Sequence, residues 1–145
     1  MANNKKPDIE KGEDSWLYSP IVKDHFYNPR NVMPDEMIDY YEADGMGEVG
    51  SPACGDVMRM WIKVDPKSKK ITDCKWRTFG CASAIASTSV LSEMVIGMRV
   101  EEAKKIKPQD IAVRLGGLPK VKIHCSVLGD QALRAAIENW ENKLK

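Results

Sequence analysis

A chain of 145 residues is the size of one domain and can close a single hydrophobic core without disulfide or metal staples. Its 22 basic and 21 acidic side chains leave a net charge of +1, which excludes a global electrostatic attraction to nucleic acid or an anionic membrane, so any partner is recognised locally. No apolar run approaches the roughly 20 residues that span a bilayer, since Ala82 to Ile96 is broken by Ser83, Ser87, Ser89, Ser92 and Glu93, and a soluble chain is expected.

Residues 1–17 open with a polar, charged stretch that lacks Arg and any apolar segment. It reads as a mobile tail rather than a secretory or transit signal, and points to the cytoplasm. The domain is expected to run over 18–145. Ser19-Pro20 has the form of an N-cap and first helical position for a short helix that Asn28-Pro29 ends, with His25 as an ordinary helix residue. The acidic, glycine-bearing stretch Asn31 to Gly50 predicts a loop leading into a strand near Gly47 to Ser51.

Val57 to Val64 alternates Met58, Met60, Ile62 and Val64 with Val57, Arg59, Trp61 and Lys63, the period of a half-buried strand. Asp65 to Lys70 is a solvated turn, and Ile71 to Phe79 returns as the second strand of a hairpin. After Gly80-Cys81 the small residues suit a buried helix stopped by Gly97. Another helix starts at Lys107-Pro108 and ends at Gly116-Gly117. From Ser126 onward Leu133, Ala136, Ile137, Trp140 and Leu144 form the stripe of an amphipathic terminal helix. Strands first and helices afterwards imply an α+β fold, a sheet of about three antiparallel strands covered by helices on one face.

The four cysteines fall differently on this plan. Cys54 lies in Pro52-Ala53-Cys54-Gly55-Asp56, a tight turn between two strands. Cys81 stands at a strand-to-helix junction, where free backbone N–H groups favour thiolate. Cys125, preceded by His124, is expected to open the last helix, with the same consequence. Cys74 sits inside a strand on the face of Trp76 and reads as packing. In a reducing compartment three thiols at turns and helix starts point to metal or sulfur chemistry, with Asp56 and His124 as additional ligand types beside them. Asp56 is also an ordinary turn residue. Lys122 and Arg77 are near enough in sequence to favour thiolate, though solvation explains both. Zinc, copper(I) and iron-sulfur all suit such a donor set, and there is no close Cys-x-x-Cys pair of the zinc-finger type.

Four segments then carry a resemblance: YSPIVKDHFYNPRNV at 18–32, PACGD at 52–56, FGCASAIAS at 79–87 and GGLPKVKIHC at 116–125. From about Tyr18 to its end the chain resembles the IscU family of iron-sulfur cluster assembly scaffolds, related to the amino-terminal domain of NifU. The resemblance implies a scaffold rather than an enzyme. A pyridoxal-phosphate cysteine desulfurase (IscS-like) would supply sulfur as a persulfide, an iron donor the metal, and the 2Fe-2S cluster would pass to acceptor apoproteins. It implies Cys54, Cys81 and Cys125 as thiolate ligands, Asp56 and His124 as competing fourth ligands, Cys125 as the principal persulfide acceptor, and zinc as an occupant of the cluster-free form.

His124 makes the chain more similar to IscU than to the zinc-bound SufU relatives, and NifU's additional cluster domains are not expected here. Where relatives served by a dedicated Hsp70-type chaperone have Leu-Pro-Pro-Val-Lys, this chain has Leu118-Pro119-Lys120-Val121-Lys122, which argues against chaperone-assisted transfer. Tyr18 matches a tyrosine linked to dimerisation, so a homo-oligomer is compatible with the resemblance. Two rivals use the same residues: a zinc protein that accepts sulfur without iron, and a thiol enzyme built on a Cys-His couple.

Overall fold

The computed structural model describes residues 20–51, 56–79, 82–116 and 120–144, with the backbone alone at 51, 56, 82–83 and 120–128. The expected tail, Tyr18, Cys54 and Cys81 lie outside the described residues. Helix α1 (Pro20–Tyr27) begins at the expected proline, and a short 3-10 turn (Asp35–Met37) interrupts the following loop. Strands β1 (Gly45–Ser51), β2 (Asp56–Val64) and β3 (Ile71–Phe79) form one antiparallel sheet in the order β1-β2-β3, as the α+β reading expects. Helices α2 (Ala82–Val95), α3 (Val100–Ala103), α4 (Pro108–Arg114) and α5 (Lys120–Lys143) follow. The four-residue α3 was not anticipated.

The core lies between the inner sheet face and the helices. Met58, Met60, Ile62 and Val64 are buried as their alternation predicts, and α2 and α5 pack over them with Leu91, Val95, Leu133 and Ile137. Close approach of α5 to β1 depends on glycine. A Cβ on Gly47 would lie 2.5 Å from the Ala136 nitrogen and 2.7 Å from the Ala135 Cβ, and one on Gly45 would strike the Ala136 carbonyl oxygen. Ala132, Ala135 and Ala136 supply the matching small surface on the helix. Two buried hydroxyls of helix α2 are satisfied within it, Thr88 donating to the Ala84 carbonyl at 2.7 Å and Ser92 to that of Ser89 at 2.7 Å. Gly97, at φ +98°, ends it where a side chain would be strained.

The outer face departs from simple alternation. Trp61 points away from the helices yet is only 6% exposed. In the neighbouring row Lys63 and Asp73 are partners across β2 and β3. The Lys63 ammonium sits 4.5 Å from the Tyr41 ring centre, and the Tyr41 hydroxyl donates to Asp73 at 2.7 Å, so the 35–41 segment lies across this end of the face.

The last helix also departs from expectation. It starts at Lys120, six residues before Ser126, so Cys125 does not open it. Val121 and Ile123 are β-branched but carry no breaker, and a helix beginning just after Pro119 continues through them. Leu144, assigned to the apolar stripe, lies beyond the helix and is 62% exposed.

Candidate functional site

One end of the sheet gathers the segments that carry the candidate thiols. Ser51 and Asp56 are direct partners at the ends of β1 and β2, so residues 52–55, with Cys54 among them, join the strands there. Phe79 ends β3 opposite Val57, and only Gly80 and Cys81 separate it from Ala82, the first residue of α2. Helix α5 runs antiparallel to β1, with Trp140 beside Gly45 and Ala132 beside Gly47. From Ala132 back to Cys125 the helix covers about 10 Å, and from Gly47 to Ser51 the strand covers about 13 Å. Position 125 is therefore level with the last residues of β1. Gly129 meets α2 there, its Cβ position 3.3 Å from Leu91 and 3.5 Å from the Thr88 hydroxyl.

For Asp56, His124 and Cys125 the backbone alone is described, and it puts Asp56 first in β2 and the other two in the second turn of α5. This corrects the basis on which Cys125 was expected to be a thiolate. As the sixth helical residue it lies past the four free N–H groups of the first turn, where the helix dipole is felt most. Among the described residues no cluster of three or more His, Cys, Asp or Glu has the spacing to hold a metal ion.

Cys74 is buried in the core, as its packing role predicts. It pairs with Ile62, and burial pushes its thiol up to about 12. Arg77 Nη1 donates to the Met33 carbonyl at 3.0 Å and pairs with Asp35. Beside it an open groove of about 450 Å³ runs along the outer face, with Ile38, Val57, Arg59 and Phe79 in its walls, and Phe79 is 74% exposed at the rim.

Two buried polar groups escaped sequence reasoning. His25 is 7% exposed rather than an ordinary helix residue. Its Nδ1 is 2.7 Å from the Ser89 hydroxyl, which also accepts the Arg30 N–H at 2.9 Å, and its Nε2 is 3.7 Å from Glu93. Burial lowers the pKa of this imidazole, with the Arg30 charge acting in the same sense and Glu93 and Asp24 opposing. Ser89 is 64 residues away in sequence, so local pattern held no sign of the pair. Asp130 is 2% exposed; one oxygen pairs with Arg134 at 2.7 Å and the other has no partner among the described residues. Arg134 also donates to the carbonyls of Lys104 at 3.2 Å and Ile106 at 2.7 Å, fastening α5 to the α3–α4 link. The i,i+4 spacing of Asp130 and Arg134 was the available signal.

Residues 17–145 match the family described as the NifU-like N terminal domain. The chain belongs to that family. It is 51% identical over 127 residues to the iron-sulfur cluster assembly scaffold protein IscU 1 of Archaeoglobus fulgidus, covering 88% of this chain and 78% of that one. It is 50% identical over 127 residues to iron sulfur cluster assembly protein 2, mitochondrial, of Saccharomyces cerevisiae, covering 88% of this chain and 80% of the relative. The nitrogen fixation protein NifU of Azotobacter chroococcum mcd 1 is 48% identical over 128 residues, and the match covers 40% of that longer protein. In structure this NifU-like domain superposes on the NifU-like protein (N-terminal) from Brucella abortus with a TM-score of 0.71 at 19% identity, over 91% of this chain and 99% of that one, which establishes the shared fold. The expected kinship with IscU and NifU scaffolds is thereby met.

Proposed function

We propose that this NifU-like domain is an assembly scaffold on which a 2Fe-2S cluster is built from iron and desulfurase-derived sulfur, then passed to acceptor apoproteins in the cytoplasm. Cys54, Cys81 and Cys125 are the proposed thiolate ligands, with Asp56 or His124 as the fourth. The observation that carries this reading is the shared end of the fold: the β1–β2, β3–α2 and early α5 segments that flank the three thiol positions meet there, in a chain 51% identical to a named IscU scaffold. Three thiolates with one harder or more basic ligand hold a cluster less firmly than four thiolates, which suits a donor.

Sulfur transfer at Cys125 is a thiol-disulfide exchange. The Cys125 thiolate attacks the terminal sulfur of the desulfurase persulfide, the desulfurase S–S bond breaks, and the desulfurase cysteine leaves as thiolate. An external reductant then supplies the two electrons that convert each sulfane sulfur to sulfide. With the helix beginning at Lys120, position 122 stands i,i+3 from Cys125 in α5, so the Lys122 ammonium rather than a helix terminus is the proposed neighbour of the attacking thiol.

Anaerobic reconstitution with iron, cysteine and a desulfurase tests the reading, with iron and acid-labile sulfide counted and transfer to an apo-ferredoxin followed by visible absorption. Cys54→Ala, Cys81→Ala and Cys125→Ala should each abolish a stable cluster, whereas Cys74→Ala should retain it. Asp56→Ala should prolong the cluster's life in air and slow its transfer. Rapid-quench mass spectrometry should place the first persulfide on Cys125. A wild-type chain that retains zinc alone, with no iron or sulfide, would overturn the scaffold reading.

A further inference from the structure

The outer sheet face carries a row of four charges that the scaffold chemistry leaves unused. Glu48 on β1 is the direct partner of Arg59 on β2, and Arg59 is the direct partner of Arg77 on β3. Asp35, from the turn beyond the sheet edge, pairs with Arg77. Along the row the signs run minus, plus, plus, minus. Like charges at directly opposed positions destabilise a sheet, so the central arginine pair requires compensation. Its two acids stand only at the outer flanks, and both are open to water, Glu48 at 47% and Asp35 at 80% side-chain exposure.

The pairing also leaves donors unused. Arg59 meets Glu48 through Nε alone, at 3.5 Å, and Arg77 engages its two partners through Nη1 alone. Neither terminal nitrogen of Arg59, nor Nε or Nη2 of Arg77, has a hydrogen-bond partner among the described residues. Toward the cysteine-bearing end, Val57 and Phe79 are partners in the next row of the same face, about 7 Å along the strands. That row is apolar, it lines the same groove of about 450 Å³, and Phe79 is 74% exposed. Two solvated arginines would suit any charged surface. A guanidinium pair with unused donors, lining one groove with an uncovered aromatic, is a combined polar and apolar site.

We propose that this groove binds a small organic acid, its carboxylate bridging the guanidiniums of Arg59 and Arg77 and its apolar body lying on Val57 and Phe79. The proposed binding uses no thiol and requires no cluster, so it stands or falls independently of the scaffold reading. A carboxylate is favoured over an inorganic anion because only the former places apolar surface on the second row.

The test is a titration of the full-length, isotopically labelled chain with hexanoate, followed by amide chemical shifts, against acetate and inorganic phosphate at constant ionic strength. Hexanoate should give saturable shifts at Val57, Arg59, Arg77 and Phe79 and bind roughly tenfold more tightly than acetate or phosphate. Arg59→Gln should weaken hexanoate roughly tenfold. Phe79→Ser should remove the advantage of hexanoate over acetate while leaving acetate binding unchanged. Because both residues are surface-exposed, an otherwise unaltered amide spectrum reports that each variant is folded. Equal affinity for phosphate and hexanoate, an Arg59→Gln titration indistinguishable from wild type, or shifts confined to other residues would each overturn the assignment.

Discussion

The two ends of the sheet are built on opposite principles. At the β2–β3 turn the backbone is tied on every side: the Asp65 carboxylate accepts the Ser68 hydroxyl at 2.6 Å and its N–H at 3.0 Å, and Asp65 N donates to the Lys70 carbonyl at 2.9 Å. The start of β3 is also stitched to the α2–α3 link, with Ile71 N donating to the Met98 carbonyl and Gly97 N to the Ile71 carbonyl, each at 2.7 Å. Val64, Ile71, Val95 and Val100 close the core there. At the other end β3 finishes on an exposed Phe79 beside an open groove, and α2 follows after two residues. Local stability is greatest where buried contacts and satisfied backbone groups are densest. Among the described residues the end remote from the thiol segments is therefore the more densely tied.

The strongest way to break this contrast is to attack the support shared by both ends. Gly47→Val should lower the unfolding free energy by about 3 kcal/mol or more, because its Cβ meets helix backbone that cannot move aside like a flexible side chain. Chemical denaturation measures the loss, and a change below about 1 kcal/mol would show that α5 can move away from β1.

Ile71→Ala strikes the tied end alone. The residue is fully buried, and its truncation should cost about 2–4 kcal/mol in the same measurement. Hydrogen exchange should then accelerate at Ile71 and Gly97 more than at Met58, since the first two share the stitched junction.

The pH dependence of stability sharpens the comparison at the α1–α2 contact. Folding lowers the His25 pKa below its usual 6.5, so the unfolded chain takes up the proton first as pH falls. This contribution to stability is fully present above about 6.5, declines as pH drops through that value, and levels off below the folded pKa. Denaturation curves across pH 5 to 8 should therefore be flatter in His25→Gln than in wild type. An unchanged slope would mean that the imidazole is not held neutral by burial against Ser89.

The smallest effect belongs to the open rim. Phe79→Ser should alter stability by less than about 0.5 kcal/mol, because the ring is 74% exposed and little apolar surface is lost from water on folding. A loss comparable to that of Ile71→Ala would place Phe79 in a packed surface and remove the difference between the two ends.

Much of this fold was legible by itself in the sequence. The alternation of Met58, Met60, Ile62 and Val64 determined a strand and its buried face, because the two-residue period of a strand is a local property. Pro20 and Gly97 marked a helix start and a helix end through the backbone angles they favour. The thiol motifs carried the kinship with iron-sulfur scaffolds that the family match and relatives bear out. Tertiary structure decided what depends on the surface delivered against a residue. It buried Trp61 on the face that alternation left to water, enclosed His25 through Ser89, 64 positions away, and required glycine at 45 and 47 because alanines of α5 lie against them. It also set the start of α5 at Lys120 rather than at Cys125, since packing of the helix against β1 and α2 outweighs the few tenths of a kcal/mol by which the β-branched Val121 and Ile123 disfavour a helix.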